Sequence, residues 1–410
     1  MDWSSLPEHV LARIFGRLRV VGVAFRATSV CSRWRRVFAG PLYWRETALS
    51  FASGFADRAQ LRFFETYGHW TKALTVALDQ GNVENRELAV ECLRVAARLD
   101  GRRLDSLKIE FVGENPLFYA GQEFVDALVE FGQPKGGGAS VSRTLERLDL
   151  SGLQVNLTDA LVRGLESHFD TLRVLDLQNR QLICQISPSC IESFIRGAPR
   201  LAELRVCYSS LNGACLDALA ELIRRQESVS VEPFRRLSVL CKREDKYRED
   251  DMDERRWSRL RQENPHLDVT LKFDYTCLLE KLRGIMKPEL AARHLHLETY
   301  TMSYACLDIS TVYAHCLESL ELQTQPSAEL DAALLYFASE CRRQGGPLRS
   351  LHVHCPLEED TILRLRQLVP SVFAPSGSRT LHASEQAFYP WRYDRVLDEL
   401  RAQAGWPRHL

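Results

Sequence analysis

Four histidines are the residues whose type and spacing come nearest to a chemical site. His294 and His296 form one i, i+2 pair, and His352 and His354 form another. Residues at i and i+2 share one face of a strand, and the two pairs lie two predicted strands apart, roughly 10 Å at ~4.8 Å per strand. One zinc ion holds all its ligands at ~2.0–2.1 Å, so this spacing disfavours a shared ion. We therefore predict exposed polar histidines, no metal site and no cofactor.

Signatures of enzymes are missing from the sequence. It contains no GxSxG elbow, no HExxH pair and no local Cys/His signature, and its carboxylates are scattered rather than paired. Residues 132–141 (GQPKGGGASV) are glycine-rich, but Lys135 precedes the glycines, whereas a phosphate-binding loop needs a Lys-Ser/Thr pair after them. We predict a flexible loop there and a protein that is not an enzyme.

Composition predicts a globular protein in a reducing compartment. Of the 410 residues, 45 % are hydrophobic and 26 % are charged, no apolar run approaches the ~20 residues of a membrane span, and no signal-peptide pattern is present. The net charge of −1 gives no bias toward nucleic acid or membrane, and we predict neither as a partner. The expected location is the cytoplasm, the nucleus or both.

Twelve cysteines are scattered without the spacing of a disulfide framework. Many fall at apolar positions, where we expect small buried thiols. Examples are Cys190, Cys215, Cys277, Cys316 and Cys341.

A repeated L-x-x-L-x-L pattern supplies the elements that would position these residues. Its central apolar residues fall at 74, 107, 148, 175, 204, 237, 271, 295, 320 and 351. The intervals run from 24 to 41 residues, in or just above the range of leucine-rich repeats. Amphipathic helices are predicted between the strands, at 122–131, 158–169, 213–226, 277–287 and 328–343. One strand–helix unit cannot cover its own apolar face, so stacked units must share a core.

A doubly wound α/β domain is the alternative, because it also alternates strands and helices. Its strands are buried on both faces and form continuous apolar runs, and its nucleotide site carries a glycine fingerprint after a strand. The short, alternating strands of this sequence lack both features. We predict an α/β solenoid, with a curved parallel sheet inside and helices outside.

The N-terminal stretch 6–44 predicts three short helices that cannot bury their apolar surface alone. Pro7 suits a first helical turn, and Pro41 ends the last of these helices. Residues 1–45 hold eight Arg against Asp2 and Glu8, a net charge of +6, which can attract an acidic partner or a polyanion. From the pattern alone, the stretch is equally well a helical cap on the repeats.

The literal sequence favours one of these interpretations. Leu6-Pro7-Glu8, Ile14-Phe15, Leu18, Val30-Cys31, Trp34 and Trp44 resemble the F-box in order and spacing, although Gly22 stands where many F-boxes carry Asp. With degenerate leucine-rich repeats behind it, the chain resembles F-box substrate receptors of SCF ubiquitin ligases. That resemblance implies a non-catalytic subunit that binds Skp1, through it cullin-1 and a RING subunit, and a protein substrate.

The resemblance also implies which residues bind Skp1. They are Leu6, Pro7, Ile14, Phe15, Leu18, Val30, Cys31 and Trp34. Their apolar side chains would anchor the interface, with arginines at its rim. Ile14 and Trp34 are equally positions that hold the three helices together.

A second candidate surface is a row on the concave side of the sheet. In L-x-x-L-x-L the residue between the last two apolar positions faces outward there. The row, a candidate substrate-binding surface, is Lys108, Asp149, Asp176, Arg205, Lys272, His296, Glu321 and His352, with Ser238 also in line. Its charges alternate in sign, so neither a phosphate-rich nor a strongly acidic substrate is favoured.

We predict three regions: an F-box at 1–48, a solenoid of about ten repeats at 49–371 and a C-terminal cap or tail at 372–410. The charged run 242–256 is expected to be a solvated loop or an exposed helix start. Two further functions stay open. One is an F-box scaffold outside a ligase, and the other is a repeat-type interaction module capped by the N-terminal helices.

Overall fold

The structure is a computed structural model that describes residues 6–17, 25–26, 28–52, 55–99, 104–113, 121–132, 145–179, 184–229, 231–243, 252–298, 311–323 and 326–373. The chain divides into two compact units. Unit 1 comprises Met1–Leu237 with Glu244–Leu267, and unit 2 comprises Ser238–Arg243 with Asp268–Leu410. The predicted C-terminal cap beyond Phe373 and nearly all of the glycine-rich loop lie outside the described residues.

Unit 1 begins with the helices α1 (Glu8–Arg17), α2 (Ser32–Phe38) and α3 (Pro41–Trp44). The Pro7 carbonyl accepts the N–H groups of Val10 and Leu11 at 3.0 and 3.1 Å, so α1 starts where the proline predicts. Pro41 is the first residue of α3, where its missing N–H is not needed.

An aromatic cluster joins these helices to the first repeat. Phe38 is buried, and its ring centroid lies 5.0 Å from that of Tyr43, 5.6 Å from that of Trp44 and 5.7 Å from that of Phe63. The Trp44 indole N–H donates to the Phe38 carbonyl at 2.7 Å, which satisfies the polar end of a fully buried ring. The helices therefore share a core with the repeats rather than forming one alone.

Parallel strands follow in each unit, and they pair in chain order. Those of unit 1 are β1 (Glu46–Phe51), β2 (Ala73–Leu78), β3 (Ser106–Phe111), β4 (Arg147–Gly152), β5 (Val174–Asp176) and β6 (Glu203–Cys207). β7 (Arg236–Cys241) gives its first two residues to unit 1 and the rest to unit 2. Those of unit 2 continue as β8 (Asp268–Phe273), β9 (His294–Glu298), β10 (Ser319–Gln323) and β11 (Ser350–Val353).

A buried leucine ladder runs through the ten strands that the repeat pattern predicts. Its members are Leu74, Leu107, Leu148, Leu175, Leu204, Leu237, Leu271, Leu295, Leu320 and Leu351, each at most 1 % exposed. Leu74 to Leu204 are paired in register in unit 1, as are Leu271 to Leu351 in unit 2. The predicted α/β class and parallel repeat strands are confirmed. β1 was not predicted, and it spans the proposed boundary at residue 48.

Helices connect the strands. In unit 1 they are α4 (Phe55–Tyr67), α5 (Val83–Arg98), α6 (Gln122–Gly132), α7 (Asp159–Gly164), α8 (Pro188–Gly197), α9 (Gly213–Ser228) and α10 (Glu254–Glu263). In unit 2 they are α11 (Leu279–Ile285), α12 (Ala328–Arg343) and α13 (Glu359–Leu368). Short 3-10 turns lie at Gly68–Trp70, Glu166–His168, Tyr208–Ser210, Pro288–Leu290, Thr311–Tyr313 and Pro370–Phe373. None of the helices in the described ranges has the length and apolar character that crossing a membrane requires.

Side-chain caps set several helix starts. Asn82, Ser187, Asn212, Asp253 and Ser327 each accept an N–H from the first turn of the following helix. The Asp253 cap places α10 at the end of the charged run 242–256, and this is the helix start expected there. The predicted helix 158–169 is instead divided, because α7 ends at Gly164 and a 3-10 turn follows.

Buried amides tie successive repeats of unit 1 together. The Asn179 amide donates to the carbonyls of Leu153 at 3.1 Å and Val155 at 2.7 Å. Gln80 both donates to the Gly113 carbonyl and accepts its N–H. Because loop carbonyls buried without a partner are costly, these amides stabilise the loops that follow strands β3 and β4.

The cysteines that the structure describes are free thiols. Burial raises the pKa of Cys190 and Cys215 to about 11 and that of Cys341 to about 12, with smaller contributions from nearby carboxylates. These thiols are therefore protonated and inert at neutral pH. Cys316 is half-buried.

Candidate functional site

The N-terminal helices present a mixed surface at the residues predicted to bind Skp1. Pro7 and Val30 are exposed, and Leu6, Ile14, Cys31 and Trp34 are half-buried. Phe15 is only 1 % exposed, and Leu18 lies outside the described residues. The apolar set thus divides into side chains that a partner can reach and side chains that it cannot.

Phe15 belongs to the inside of the helices. Its ring centroid lies 5.3 Å from that of Trp34 and 6.2 Å from that of Tyr43, both in edge-on geometry. It therefore joins α1 to α2 and α3, and it supports the half-buried Trp34 from behind. Burial also raises the pKa of Tyr43 to about 12, so this ring stays neutral.

Two exposed apolar residues of this surface were not among the predicted contacts. Leu42 is 54 % exposed, directly after Pro41 at the start of α3. Phe25 is 46 % exposed although its ring packs at a tilt of 35° against Phe63, with the ring centroids 4.4 Å apart. The exposure of Leu42 could have been inferred from Pro41, which marks a helix start. A residue in the first turn of a helix has few neighbours that could cover its side chain. The arginines 13, 26, 35, 36 and 45 are exposed in the same segment, so the exposed surface of this segment is basic as well as apolar.

The second surface lies on the sheet. We call the strand face that alternates with the leucine ladder the open face. In unit 1 it carries Lys108, Asp149, Asp176 and Arg205 in register on adjacent strands. In unit 2 it carries Lys272, His296, Glu321 and His352 in register in the same way. The spacing of the repeats therefore places four members of the predicted row side by side in each unit.

An arginine network dominates the open face of unit 1. Arg205 contacts Asp176 at 3.1 Å, and its guanidinium also contacts Glu203. Both carboxylates are buried, at 3 % and 8 % exposed. Partial burial lowers the pKa of Arg205, but Glu203 and Asp176 more than compensate, so its pKa is raised. Glu203 was not predicted, because the predicted row samples only one of the outward positions on each strand.

A histidine network occupies the equivalent place in unit 2. His296 Nδ1 lies 2.7 Å from Glu321 Oε2, and His354 Nε2 lies 3.0 Å from Glu321 Oε1. The hydrogen bond with His296 is the main cause that lowers the pKa of Glu321 to about 2; burial opposes it, and His354 adds to it. The expectation of exposed histidines is wrong, because His294, His296, His352 and His354 are all half-buried. The strand pleat turns them toward neighbouring acids, as with His294 and Asp268 at 3.2 Å.

No group of three or more histidine, cysteine or acidic side chains in the described part of the chain has the geometry of a metal site. Each histidine nitrogen named above faces a carboxylate instead. The chemistry of both open faces is therefore ion pairing and hydrogen bonding.

Helices with a partly exposed apolar surface, followed by a parallel repeat sheet, are the architecture of an F-box protein with leucine-rich repeats. Residues 3–50 match the F-box-like family model. Human F-box/LRR-repeat protein 8 is 29 % identical over 391 residues, which cover 95 % of this chain and 97 % of that protein. The mouse form is 27 % identical over 389 residues with the same coverage. Mouse F-box/LRR-repeat protein 21 is 24 % identical over 355 residues, 83 % of this chain and 75 % of that protein.

The chain thus carries an F-box-like domain and is homologous to F-box/LRR-repeat proteins along most of its length.

Proposed function

We propose that this protein is the substrate-recognition subunit of an SCF-type E3 ubiquitin ligase. The F-box-like domain binds Skp1, and through it cullin-1 and a RING subunit, while the repeats bind a protein substrate for ubiquitination. The observation that carries the proposal is the joining of an F-box-like domain, its apolar side chains partly exposed, to a repeat sheet whose open face carries polar, mostly half-buried side chains. The subunit itself is non-catalytic and acts in the cytoplasm, the nucleus or both.

The exposure pattern supports a division of labour among the Skp1-binding residues. Pro7, Val30 and Leu42 offer reachable apolar contacts, and Phe15 and Trp34 hold the helices that present them. Apolar anchors at the centre with a charged rim are typical of interfaces that form quickly and hold well.

The test compares two exposed valines in the full-length chain. Val30 is 63 % exposed on the F-box surface, and Val229 is 65 % exposed at the end of α9. A Pro7→Ala, Val30→Asp variant should retrieve Skp1 at least tenfold less well than wild type, the equivalent of about 1.4 kcal/mol. Val229→Asp should retrieve it normally. If the first variant keeps its melting temperature and retrieves Skp1 as wild type does, the F-box assignment fails.

Two alternatives differ in what is retrieved. A scaffold outside a ligase binds Skp1 without cullin-1, and no repeat-bound protein accumulates when the Pro7→Ala, Val30→Asp variant replaces wild type. A repeat module with a helical cap binds neither Skp1 nor cullin-1.

A further inference from the structure

A charged groove lies on unit 1 beside the predicted row, at the starts of strands β3 to β7. Its volume is about 350 Å³, and its lining includes four arginines and four carboxylates. Ser106, Val174 and Ala202 supply small side chains between these charges. This volume is at the lower end of the range for ligand sites, which is about 300–1,000 Å³.

Every carboxylate of the groove already has a cation. Asp105 lies 3.8 Å from Lys72, and Glu146 lies 3.9 Å from Arg173. Glu232 contacts both Arg173 and Arg235. Glu203 is held by Arg205 and lies 3.5 Å from Arg236. The acidic side chains are therefore neutralised from within the fold.

Arg147 is different from the other arginines of the groove. It lies in register between Ser106 and Val174 on the neighbouring strands. Its guanidinium forms no ion pair and no side-chain hydrogen bond with any residue that the structure describes, and it lines the groove at an exposed position. The lining alone is electrically balanced, but with the ion-pair partners Lys72, Arg205 and Asp176 six cations face five carboxylates, which leaves one positive charge in excess, at Arg147.

We propose that this groove recognises the substrate, and that it takes an extended peptide segment whose Glu or Asp side chain pairs with Arg147. The carboxylate receives the two parallel N–H donors of the guanidinium, the strongest ion-pair geometry in proteins. A small apolar neighbour in the peptide covers Val174 and Ala202, and the rim ion pairs exclude residues that carry an unmatched charge. The inference rests on the proposed function, because it names the class of substrate.

The charge balance favours a carboxylate over a phosphate. A phosphoserine brings a charge of about −1.5 to −2 at neutral pH, whereas the groove has one spare cation. A dianion would leave charge unmatched beside Glu146 and Glu203, and like-charge contacts of this kind are unfavourable.

The test begins with a random octapeptide display library selected on the full-length chain. One position of the recovered peptides should be enriched in Glu and Asp. A recovered peptide is then synthesised with Glu, Gln or phosphoserine at that position, and affinity is measured by fluorescence anisotropy. The Glu form should bind at least tenfold more tightly than the Gln form, with an advantage that falls as salt is raised.

Variants of the chain locate the effect. Arg147→Gln should abolish the preference for Glu over Gln, and Arg147→Glu should move the enrichment to Lys and Arg. Arg147→Lys should keep a weakened acidic preference, because it retains the charge without the paired donors. Arg62→Gln is the matched control, since Arg62 is exposed on α4, forms no ion pair with the described residues and does not line the groove; it should bind as wild type.

Three results would overturn the inference: no acidic enrichment, an enrichment that Arg147→Gln and Arg147→Glu leave unchanged, or tighter binding of the phosphoserine form. Skp1 retrieval by the same variants separates this outcome from failure of the proposed function. Intact Skp1 binding without peptide selectivity refutes the groove alone, and selectivity without Skp1 binding refutes the ligase role alone.

Discussion

The open faces of the two units pair their acidic side chains with different residues. Each carries acidic side chains among in-register residues of adjacent parallel strands, and each must compensate partly buried charge. Unit 1 does so with Arg205, which contacts Asp176 and Glu203. Unit 2 does so with His296 and His354, which share Glu321.

The difference lies in which side chain is shared. In unit 1 one arginine contacts two carboxylates, and its fork of donors holds both in one geometry. In unit 2 one carboxylate contacts two histidines, each through a different oxygen of Glu321. We infer that Arg205 organises the open face of unit 1 and Glu321 that of unit 2.

The largest effect is expected from Arg205→Ala in unit 1. The change leaves Asp176 and Glu203 buried with less compensation, and breaking a buried pair costs about 3–5 kcal/mol. Because Arg205 is itself 37 % exposed, we expect a smaller loss of about 2 kcal/mol. Amide hydrogen exchange in β5 and β6 measures this loss of stability locally, so the test does not depend on the two units unfolding together.

Arg196→Ala is the control for that change. Arg196 contacts Glu192 and Glu221 on the helical surface, and these carboxylates are 28 % and 43 % exposed, against 4 % and 10 % for the two that Arg205 contacts. Its removal should alter exchange in β5 and β6 very little. Equal effects of the two variants would remove the distinction between a buried network and a surface ion pair.

The repeat strands were predictable from the sequence because period-2 alternation and leucine spacing specify both the strand and its buried face. Strand β1 was missed for a physical reason. Thr47 occupies the ladder position beside Leu74, and its hydroxyl donates to the Trp44 carbonyl at 2.8 Å. A polar residue that bonds locally thus begins the sheet where the pattern requires leucine.

The candidate sites were less predictable. Helical periodicity identifies an apolar stripe, but it does not separate Phe15, which packs inside, from Val30, which is exposed. Likewise the repeat pattern predicted that Glu321 lies on the open face. It could not show that His354, which is not a member of the predicted row, would form a hydrogen bond with Glu321. Both depend on packing between elements distant in sequence.

A moderate effect is expected from Glu321→Gln in unit 2. The amide keeps the shape but loses the charge that both histidines contact. Hydrogen bonds to charged groups are worth about 1.5–3 kcal/mol, and the 30 % exposure of this side chain reduces the expected loss to about 1 kcal/mol. Exchange in β9 and β10 measures it. Glu359→Gln, at an exposed position at the start of α13, should change exchange in β9 and β10 very little.

The same variant makes a prediction about pH. The pKa of Glu321 falls from its ordinary value of 4.5 to about 2 in the folded chain. A depressed folded pKa means that the stabilisation is fully present above about pH 4.5 and is lost as the pH falls toward 2. The advantage of wild type over Glu321→Gln at pH 6 should therefore shrink by more than half at pH 3, measured by urea unfolding. An advantage that is equal at both pH values would contradict the carboxylate–histidine network.

The smallest effect is expected from Arg236→Ala, and it sharpens the account of unit 1. Arg236 is 62 % exposed and lies 3.5 Å from Glu203, which Arg205 also contacts. With Arg205 in place, the loss of the Arg236 side chain should cost about 0.5 kcal/mol or less, the usual contribution of an exposed ion pair. In the Arg205→Ala background, Arg236 still lies beside the buried carboxylate of Glu203 and offsets more of its charge. Arg236→Ala should therefore cost about 1 kcal/mol in that background. A double-mutant cycle in urea measures this coupling, and strict additivity would mean that the two arginines do not share Glu203.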